Sequence, residues 1–328
     1  MAKKRKMVIG LDLGGTKIMA AVLDGDFKIA ARTRKRTKAE RGSEIVLERM
    51  VSCIKAAIEK AGVRNSDIRG IGVGSPGPLD PEKGIIIDSP NIKFKDFPLK
   101  ARLEKAFGVP VSVDNDVNMG LYGEYHFGAA KGYRHVAGLF PGTGIGGGLI
   151  LDGKLYRGAT GNAGEIGHMI VQVDGPLCGC GQYGCIEALA SRSSISKEAA
   201  VIASRGAAPS ILKEAGTDFA AIKSGALARA LKAGDGPIEK IIHRAAWFLG
   251  IAMANVVNIL SPEIIVLGGG LVEAMPDFYI KAAAKSMKNH ALPFLVKNVQ
   301  VARAELGDDA VVMGAAELIT EALAKQST

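Results

Sequence analysis

Residues 8–27 read VIGLDLGGTKIMAAVLDGDF, and residues 136–155 read VAGLFPGTGIGGGLILDGKL. The two stretches align without a gap at an offset of 128 positions, and seven of the 20 aligned pairs are identical. Each stretch reads as a strand, a glycine-rich turn, a second strand and an Asp-Gly turn. We interpret the pair as an internal repeat, with chance similarity between glycine-rich stretches as the alternative. The repeat predicts two lobes of one design that face each other across a ligand-binding cleft.

The rest of the chain alternates between strands and helices, which indicates an α/β protein. Its 328 residues correspond to about two domains. Ser43 is the predicted N-cap of the first helix. Helices are predicted at 43–61 and 99–107, and strands at 7–13, 18–23, 68–73, 109–113 and 264–267.

The composition excludes a disordered or fibrous chain, because 48% of the residues are hydrophobic and 23% are charged. Glycine is the unusual component. Its 42 residues are nearly twice the usual share of about 7%. Glycine at this level indicates tight turns or backbone held close to a ligand.

Much of the net charge of +9 lies near the N-terminus, in residues 3–6 and 28–41. We interpret these stretches as a tail followed by a solvated strand edge. The alternative is a nucleic-acid-binding arm. Neither stretch interleaves aromatic residues or precedes a DNA-reading motif, so we expect no nucleic-acid partner.

The sequence also bears on location. No signal peptide is recognisable, and four cysteines in a chain of this length do not indicate a secreted disulfide scaffold. Cys53 is most simply a small buried side chain. The uncharged stretch from Ala245 to Pro262 contains polar residues and ends at a proline, so we expect a buried helix between the lobes. These features predict a cytoplasmic protein without a membrane partner.

Three glycine clusters are candidates for contact with a nucleotide. In residues 12–17 and 142–148, backbone N–H groups could converge on phosphate oxygens, and Asp12 could hold Mg²⁺ through water. Residues 12–17 are not a Walker A loop, and 142–148 lead into a strand where a dinucleotide fingerprint would open a helix. The third cluster, 268–270, follows a predicted strand, where backbone could pass beside a base or ribose.

A cysteine-rich knuckle has the composition of a structural zinc site. Three thiolates and one imidazole complete a closed tetrahedral set, and the glycines among them allow a tight turn. Clustered buried thiols or a redox pair are the alternatives. The four predicted ligands are His168, Cys178, Cys180 and Cys185.

Acidic residues are the candidates for catalysis. Residues 114–116, Asp-Asn-Asp, follow a buried strand, where a carboxylate could accept a proton from a substrate hydroxyl. The alternative is an Asx turn that caps the next helix, and one residue could do each job. Glu165 and Glu187 lie in sequence beside the proposed zinc ligands, although such residues are more often surface carboxylates.

Several motifs together resemble the ROK family of sugar kinases and repressors. The resemblance covers residues 8–314, and it implies an actin-like ATPase fold of two ribonuclease-H-like lobes around a nucleotide and sugar cleft. It further implies a first lobe of residues 1–116, joined by a C-terminal helix within 307–328, and a zinc-bearing second lobe of 117–306. The motifs are LDLGGTK (11–17), GSPGPLD (74–80), VDNDVN (113–118), PGTGIGGG (141–148), GNAGEIGH (161–168) and CGCGQYGCIE (178–187).

The resemblance also implies roles for individual residues, with Asp116 as the general base. His168 would bind zinc as well as sugar. The sugar-binding residues implied are Gly77, Asn91, Asn115, Asp116, Glu165, His168 and Glu187. Those implied for ATP and Mg²⁺ are Asp12, Gly14, Gly15, Thr16, Lys17, Thr143 and Gly144, with Gly268 and Gly269 near the adenosine.

By this resemblance the chain is an ATP-dependent hexokinase of carbohydrate metabolism and glycolysis that phosphorylates the 6-hydroxyl of glucose. Glucose is the first choice because SPN (89–91) and ExGH (165–168) resemble the motifs of bacterial glucokinases. N-acetylglucosamine, N-acetylmannosamine, mannose and fructose stay open as substrates, and polyphosphate as a donor. Repressors of this family carry a DNA-binding domain before the first lobe, and we expect none here because LDLGGTK begins at Leu11. A sugar-binding protein without catalysis is the third interpretation. Relatives lead us to expect a homodimer or homotetramer.

Overall fold

The computed structural model describes residues 7–89 and 91–326, so the basic residues 3–6 lie outside it. The chain forms two compact units. Unit 1 runs to Gly132 and also includes 155–163 and the residues from Asp308 onward, whereas unit 2 comprises Tyr133–Lys154 and Gly164–Gly307.

Unit 1 is built on a five-stranded mixed sheet with the order β3-β2-β1-β4-β8. Strands β1, β2 and β3 form an antiparallel meander, and β4 and β8 are added parallel to β1. A smaller three-stranded sheet follows β4 in the chain. The strands are β1 (Met7–Leu13), β2 (Lys17–Leu23), β3 (Ile29–Arg36), β4 (Ile68–Ser75), β5 (Leu79–Asp80), β6 (Ile85–Ser89), β7 (Phe94–Phe97) and β8 (Val111–Asn115).

The described part of unit 1 contains the α-helices α1 (Ser43–Lys60), α2 (Leu99–Phe107), α3 (Asp116–Phe127) and α12 (Ala310–Lys325). The apolar faces of α1 and α2 pack with the sheet into one core, and α12 covers a second apolar cluster of β1 and β2. Helix α3 packs against α12 and lies in unit 1, although it begins at Asp116, the predicted last residue of the first lobe.

Unit 2 repeats the sheet order of unit 1, here β11-β10-β9-β12-β13. Its strands are β9 (Val136–Pro141), β10 (Ile145–Leu151), β11 (Lys154–Leu155), β12 (Ile264–Leu267) and β13 (Gln300–Arg303). Its helices are α4 (Ile186–Ala190), α5 (Arg192–Ser204), α6 (Pro209–Ala215), α7 (Ser224–Lys232), α8 (Gly236–Leu260), α9 (Gly270–Ala274), α10 (Pro276–His290) and α11 (Pro293–Val296).

The two glycine hairpins begin these sheets, which confirms the interpretation of an internal repeat. Their pairing differs in one respect. Leu13 faces Ile18 in the first hairpin, whereas Pro141 faces Ile145 in the second. The second connection is therefore one residue shorter, although the two sequences align without a gap.

Helix α12 approaches the first sheet closely at positions that carry glycine. A Cβ added to Gly72 of β4 would overlap the carbonyl oxygen of Ala315, and one added to Gly10 of β1 would overlap that of Val312. Any larger residue would force the helix away from the strands, so glycine is required here for packing.

Among the described residues, only helix α8 is long and apolar enough to cross a membrane, with 25 residues. Much of that helix is buried, and its buried side chains belong to the core of unit 2. The buried helix predicted around Ala245 is thus a core helix.

Most predicted elements are confirmed within a few residues, as are the buried Cys53 and the strand edge within 28–41. The predicted N-cap is wrong. Helix α1 begins at Ser43, and its N-cap is Gly42, with φ of 95° and no side-chain cap. Glycine reaches this left-handed region without the strain that a Cβ would add, so Ser43 is displaced into the first turn.

Candidate functional site

The first glycine loop is an open backbone turn that hydrogen bonds to Lys17 and Thr37 hold in place. Gly14 N donates to Lys17 O at 2.9 Å, which closes the turn. The buried Thr37 fixes it further, because its hydroxyl donates to Gly14 O at 2.6 Å and its N–H donates to Thr16 O at 2.9 Å. Gly15 and Thr16 are exposed. The loop therefore offers a fixed, accessible backbone of the kind that suits phosphate oxygens.

Charged side chains surround this loop. Lys17 Nζ donates to Asp308 Oδ1 at 3.1 Å, and Arg34 pairs with Asp308 Oδ2 at 2.8 Å. Burial opposes ionisation of Asp308, but Lys17 and Arg34 together hold its pKa below the usual value. Asp308 thus fixes the ammonium of Lys17 beside the turn.

Asp12 lies near the end of β1, next to the glycine turn. Its carboxyl group has the most strongly shifted pKa of the site. Burial raises its pKa to about 7, the negative charge of Asp116 adds to the shift, and Lys17 opposes it. A divalent cation would reverse this shift, because a carboxylate that costs free energy to ionise alone is stabilised by a metal charge. The environment is suited to a cation that arrives with its ligand.

Asp116 stands where β8 gives way to α3. Asn115 is the N-cap of that helix, and its Oδ1 accepts from Val117 N at 2.8 Å and Asn118 N at 3.1 Å. The alternative interpretation, an Asx turn that caps the next helix, therefore holds for Asn115. Asp116 Oδ1 accepts from Val117 N at 3.0 Å. Strand end and helix start together fix the position of the Asp116 carboxylate in unit 1.

Gly77 lies beside two amide side chains. A Cβ added to Gly77 would stand 3.8 Å from Asn115 Nδ2 and 3.8 Å from Asn162 Oδ1. Asn162 Oδ1 accepts from Leu79 N at 3.0 Å. Asn91 is exposed, and its Cβ lies 3.8 Å from a Cβ built on Gly15, which puts Asn91 next to the glycine loop.

The second glycine hairpin, in unit 2, is tied to the start of α5. Arg192 donates to the hydroxyl of Thr143 at 2.6 Å, and the Ser193 hydroxyl donates to Thr143 O at 2.7 Å. At Gly144, an added Cβ would overlap Glu187 Oε2, which itself accepts from Ile145 N at 2.9 Å. The missing side chain at Gly144 is what lets the Glu187 carboxylate reach the hairpin backbone.

The four predicted zinc ligands lie together, with their ligand atoms within 4.8 Å of one another. Cys180 and Cys185 have sulfurs 3.7 Å apart, and Cys178 Sγ is 3.7 Å from His168 Nδ1. Tetrahedral Zn²⁺ with bonds of about 2.3 Å to sulfur and about 2.0–2.1 Å to nitrogen gives edges of about 3.8 and 3.6 Å. The sulfurs are too far apart for a disulfide. The donor set therefore fits zinc in both spacing and chemistry.

The cysteine-rich knuckle lies close to the two acidic candidates of unit 2. Cys178 Sγ lies 3.8 Å from Glu187 Oε1, so Glu187 contacts the knuckle with one oxygen and the hairpin with the other. His168 Nδ1 faces Cys178, whereas its Nε2 lies 4.0 Å from Glu165 Oε2. The ring can thus offer one nitrogen to a metal and the other to a polar ligand. Burial raises the pKa of the Cys185 thiol to about 12.

Gly268 and Gly269 follow β12, as predicted from the sequence, and both are packed tightly. A Cβ on Gly268 would lie 2.7 Å from a ring carbon of Phe140, and one on Gly269 would lie 2.8 Å from Pro141 O. Gly269 also has a φ of 79°. Packing against the end of β9 alone is enough to require glycine at these two positions.

Sequence reasoning missed four polar residues beside these groups. Asn162 lies within the motif GNAGEIGH but was given no role, and the other three carry no motif signal of their own. Each reaches its partner across a long stretch of chain, so only the folded structure reveals it. They are Arg157, Asn162, Arg192 and Asp308.

Two units with the same five-stranded sheet order, each opened by a glycine hairpin, define the actin-like ATPase class of fold. The ROK family model matches residues 8–322, and the chain belongs to the ROK family.

Known proteins of this family include both enzymes and regulators. The chain is 33% identical to the glucokinase of Halalkalibacterium halodurans, over 95% of this chain and 94% of that protein. It is 28% identical to the xylose repressor of Caldicellulosiruptor bescii, over 95% of this chain and 77% of that protein. The structure of a ROK family glucokinase from Streptomyces griseus, in complex with glucose and AMPPNP, superposes with a TM-score of 0.82 at 31% identity, covering 95% of this chain and 98% of that one.

Proposed function

We propose that this protein is a sugar kinase that transfers a phosphoryl group from ATP to the 6-hydroxyl of a hexose, with glucose as the first candidate. The observation that carries the proposal is the arrangement of Asp12 and Asp116. Their carboxylates interact in unit 1 beside an open glycine loop and the fixed ammonium of Lys17. The glucokinase relatives support both the sugar class and the nucleotide.

In the proposed reaction Asp116 accepts the proton of the 6-hydroxyl as its oxygen attacks the γ-phosphorus. The bond from that phosphorus to the β,γ-bridging oxygen breaks, and ADP leaves. Phosphoryl transfer passes through a loose transition state, so correct placement and charge neutralisation contribute more than a strong base. The N-cap at Asn115 supplies that placement for Asp116.

The nucleotide is assigned to the two glycine hairpins. Backbone N–H groups of Gly14, Gly15 and Thr16 and the ammonium of Lys17 would hold phosphate oxygens, and Asp12 would hold Mg²⁺ through water. Bound Mg²⁺ neutralises charge that develops on the phosphates. The remaining nucleotide contacts proposed are Thr143 and Gly144, with Gly268 and Gly269 near the adenosine.

We assign the hexose hydroxyls to the residues that the family resemblance implies. Asn115 offers its Nδ2, because its Oδ1 is already engaged by the helix. Glu165, His168 and Glu187 would accept or donate hydrogen bonds, with Gly77 close to the ring. Asn91 is a weaker candidate since it lies beside the glycine loop.

We assign Zn²⁺ to the knuckle as a structural ion held by His168, Cys178, Cys180 and Cys185. The support is the match between the 3.7 Å ligand spacings and tetrahedral coordination. Zinc would keep Glu187 and the imidazole of His168 in place for the sugar. A homodimer or homotetramer and a cytoplasmic location stay predictions.

The test is a panel of hexoses with ATP or polyphosphate as donor, read as hexose 6-phosphate formed. We expect phosphorylation of at least one hexose. Asp116→Asn should retain hexose binding and lose about 10²–10⁴-fold in turnover, the usual contribution of a general base. The control is Asp26→Asn, which changes the charge equally at an exposed position. Near-normal turnover by Asp116→Asn would remove the base assignment.

A sugar-responsive repressor is the second candidate, because the chain also matches a xylose repressor. Tight, sequence-specific DNA binding that a sugar releases, with no phosphorylation of any hexose in the panel, would favour it over the kinase.

A further inference from the structure

An ion pair between a buried carboxylate and a partly exposed arginine lies two residues before the proposed base. Asp114 is 1% exposed, and Arg157 Nε donates to its Oδ2 at 2.6 Å. Asp114 belongs to β8 and is two residues from Asp116. The arginine comes from the distant segment 155–163, which belongs to unit 1, although the residues before and after it belong to unit 2.

The second oxygen of Asp114 holds the backbone that leads to the base. Asp114 Oδ1 accepts from Asn115 N at 2.7 Å and from Asn118 Nδ2 at 3.0 Å. One carboxylate thus links the arginine to both the N-cap residue and the first turn of α3. A shift of Asp114 would be transmitted to Asn115, and through it to the start of the helix that carries Asp116.

Segment 155–163 is docked on unit 1 at further points. Asn162 Oδ1 accepts from Leu79 N at 3.0 Å, and Ala163 N donates to Arg157 O at 2.9 Å, which closes the segment on itself. Gly161 packs against Pro81, where an added Cβ would lie 2.7 Å from Cδ. Arg157 is the charged contact among these anchors.

The arginine also borders a pocket of about 420 Å³ within unit 1, together with Asp114, Asp80, Glu82 and residues 158–161. If the side chain of Arg157 is truncated, a small cation in this pocket could enter the space that the guanidinium leaves. This access makes the contribution of the guanidinium itself open to chemical complementation.

We propose that Arg157 is a positioning residue for phosphoryl transfer: it fixes Asp114, and through Asp114 the Asn115–Asp116 corner. The predicted effect on kcat rests on the proposed function. It does not require Arg157 to touch the hexose or ATP. A small displacement of a reacting group is costly in catalysis, so loss of the arginine should lower kcat by about 10²-fold and leave KM for ATP nearly unchanged.

The experiment compares Arg157→Met and Arg157→Lys with the control Arg134→Met, which removes an arginine from an exposed pair with Asp152. We expect wild-type kinetics for Arg134→Met, the full kcat loss for Arg157→Met, and a smaller loss for Arg157→Lys. Millimolar methylguanidinium should restore part of the turnover of Arg157→Ala and should not raise that of Arg134→Ala. An unchanged kcat in Arg157→Met, or a loss that only follows the unfolded fraction without rescue, would overturn the proposal.

Amide hydrogen exchange tests the same proposal without any catalytic reaction. Arg157→Met should increase exchange in 115–118 and 155–163 while α1 stays protected, and Arg134→Met should not. Unchanged exchange in 115–118 contradicts the positioning role whatever the enzyme does. If wild-type protein phosphorylates no hexose, the proposed function fails, and the exchange experiment decides the role of Arg157 in unit 1 on its own.

Discussion

Asp12→Asn should stabilise the protein at neutral and alkaline pH while it abolishes the proposed Mg²⁺ contact. The reason is the environment of the carboxyl. Burial first, and the charge of Asp116 second, raise its pKa from 3.8 to about 7. The folded state therefore binds this proton more tightly than the unfolded chain does. The stabilisation from that proton is complete below pH 3.8 and is lost as the pH rises through 7.

The size of the effect follows from the shift. A rise of about three pKa units at 1.36 kcal/mol each gives about 4 kcal/mol as an upper value, since partial exposure of Asp12 screens the interaction. The amide of asparagine is nearly isosteric and does not ionise. Relative to wild type, Asp12→Asn should gain most of this free energy of unfolding near pH 8 and almost none near pH 4.

Urea denaturation between pH 4 and pH 8.5, without added nucleotide or Mg²⁺, measures the difference. Asp26→Asn is the control, because it removes a charge from an exposed position. Asp116→Asn should produce part of the same gain by removing the second cause of the shift. Added Mg²⁺ and ATP should then stabilise wild type and not Asp12→Asn, so the difference in free energy of unfolding between the two proteins should decrease. If Asp12→Asn gains no free energy of unfolding at pH 8, or gains the same amount at every pH, the reasoning is refuted.

Two further predictions concern unit 2. Gly144→Ala should raise KM for the hexose roughly 10- to 100-fold in steady-state assays, because its Cβ would displace the Glu187 carboxylate, and a hydrogen bond to a charged group contributes about 1.5–3 kcal/mol. Gly236→Ala is the control in the same unit, with no described atom within 4 Å of the new Cβ, and equal KM values in the two variants would contradict the account. Cys185→Ser should contain less zinc than wild type when both are measured by elemental analysis, and its KM for the hexose should rise more than its KM for ATP. Full zinc content would exclude Cys185 as a ligand.

The parts of the fold that local sequence determines were predictable. Glycine hairpins, alternating apolar strands and the cysteine-rich knuckle are encoded in short stretches, and the structure confirms the α/β class and the repeated sheet. Strand pairing was harder. The one-residue difference between the two hairpins depends on how each turn closes, which a gapless alignment does not reveal. The cap at Gly42 was missed because Ser43 has the preferred side chain but not the required backbone conformation.

The candidate site was predictable only where its residues fall in motifs. Arg157 lies 43 positions from Asp114, and Arg192 lies 49 positions from Thr143. A lone arginine in such a stretch reads as an ordinary surface residue, since arginines are mostly exposed. Contacts of this kind are produced by tertiary packing, and no periodicity in the chain marks them.

The glycines carry two different kinds of information, and the structure separates them. At Gly142 an added Cβ would meet no described atom within 4 Å, and at Gly15 it would meet only Asn91 at 3.8 Å, so space is left for a ligand. At Gly10 and Gly72 the space is already filled by carbonyl oxygens of α12. Alanine at the first pair should affect ligand binding, and alanine at the second pair should affect stability, because the same missing Cβ serves a ligand in one case and a helix in the other. A high glycine content is therefore a measure of close backbone approach in general, and only the neighbours of each glycine tell whether the approaching group is a ligand.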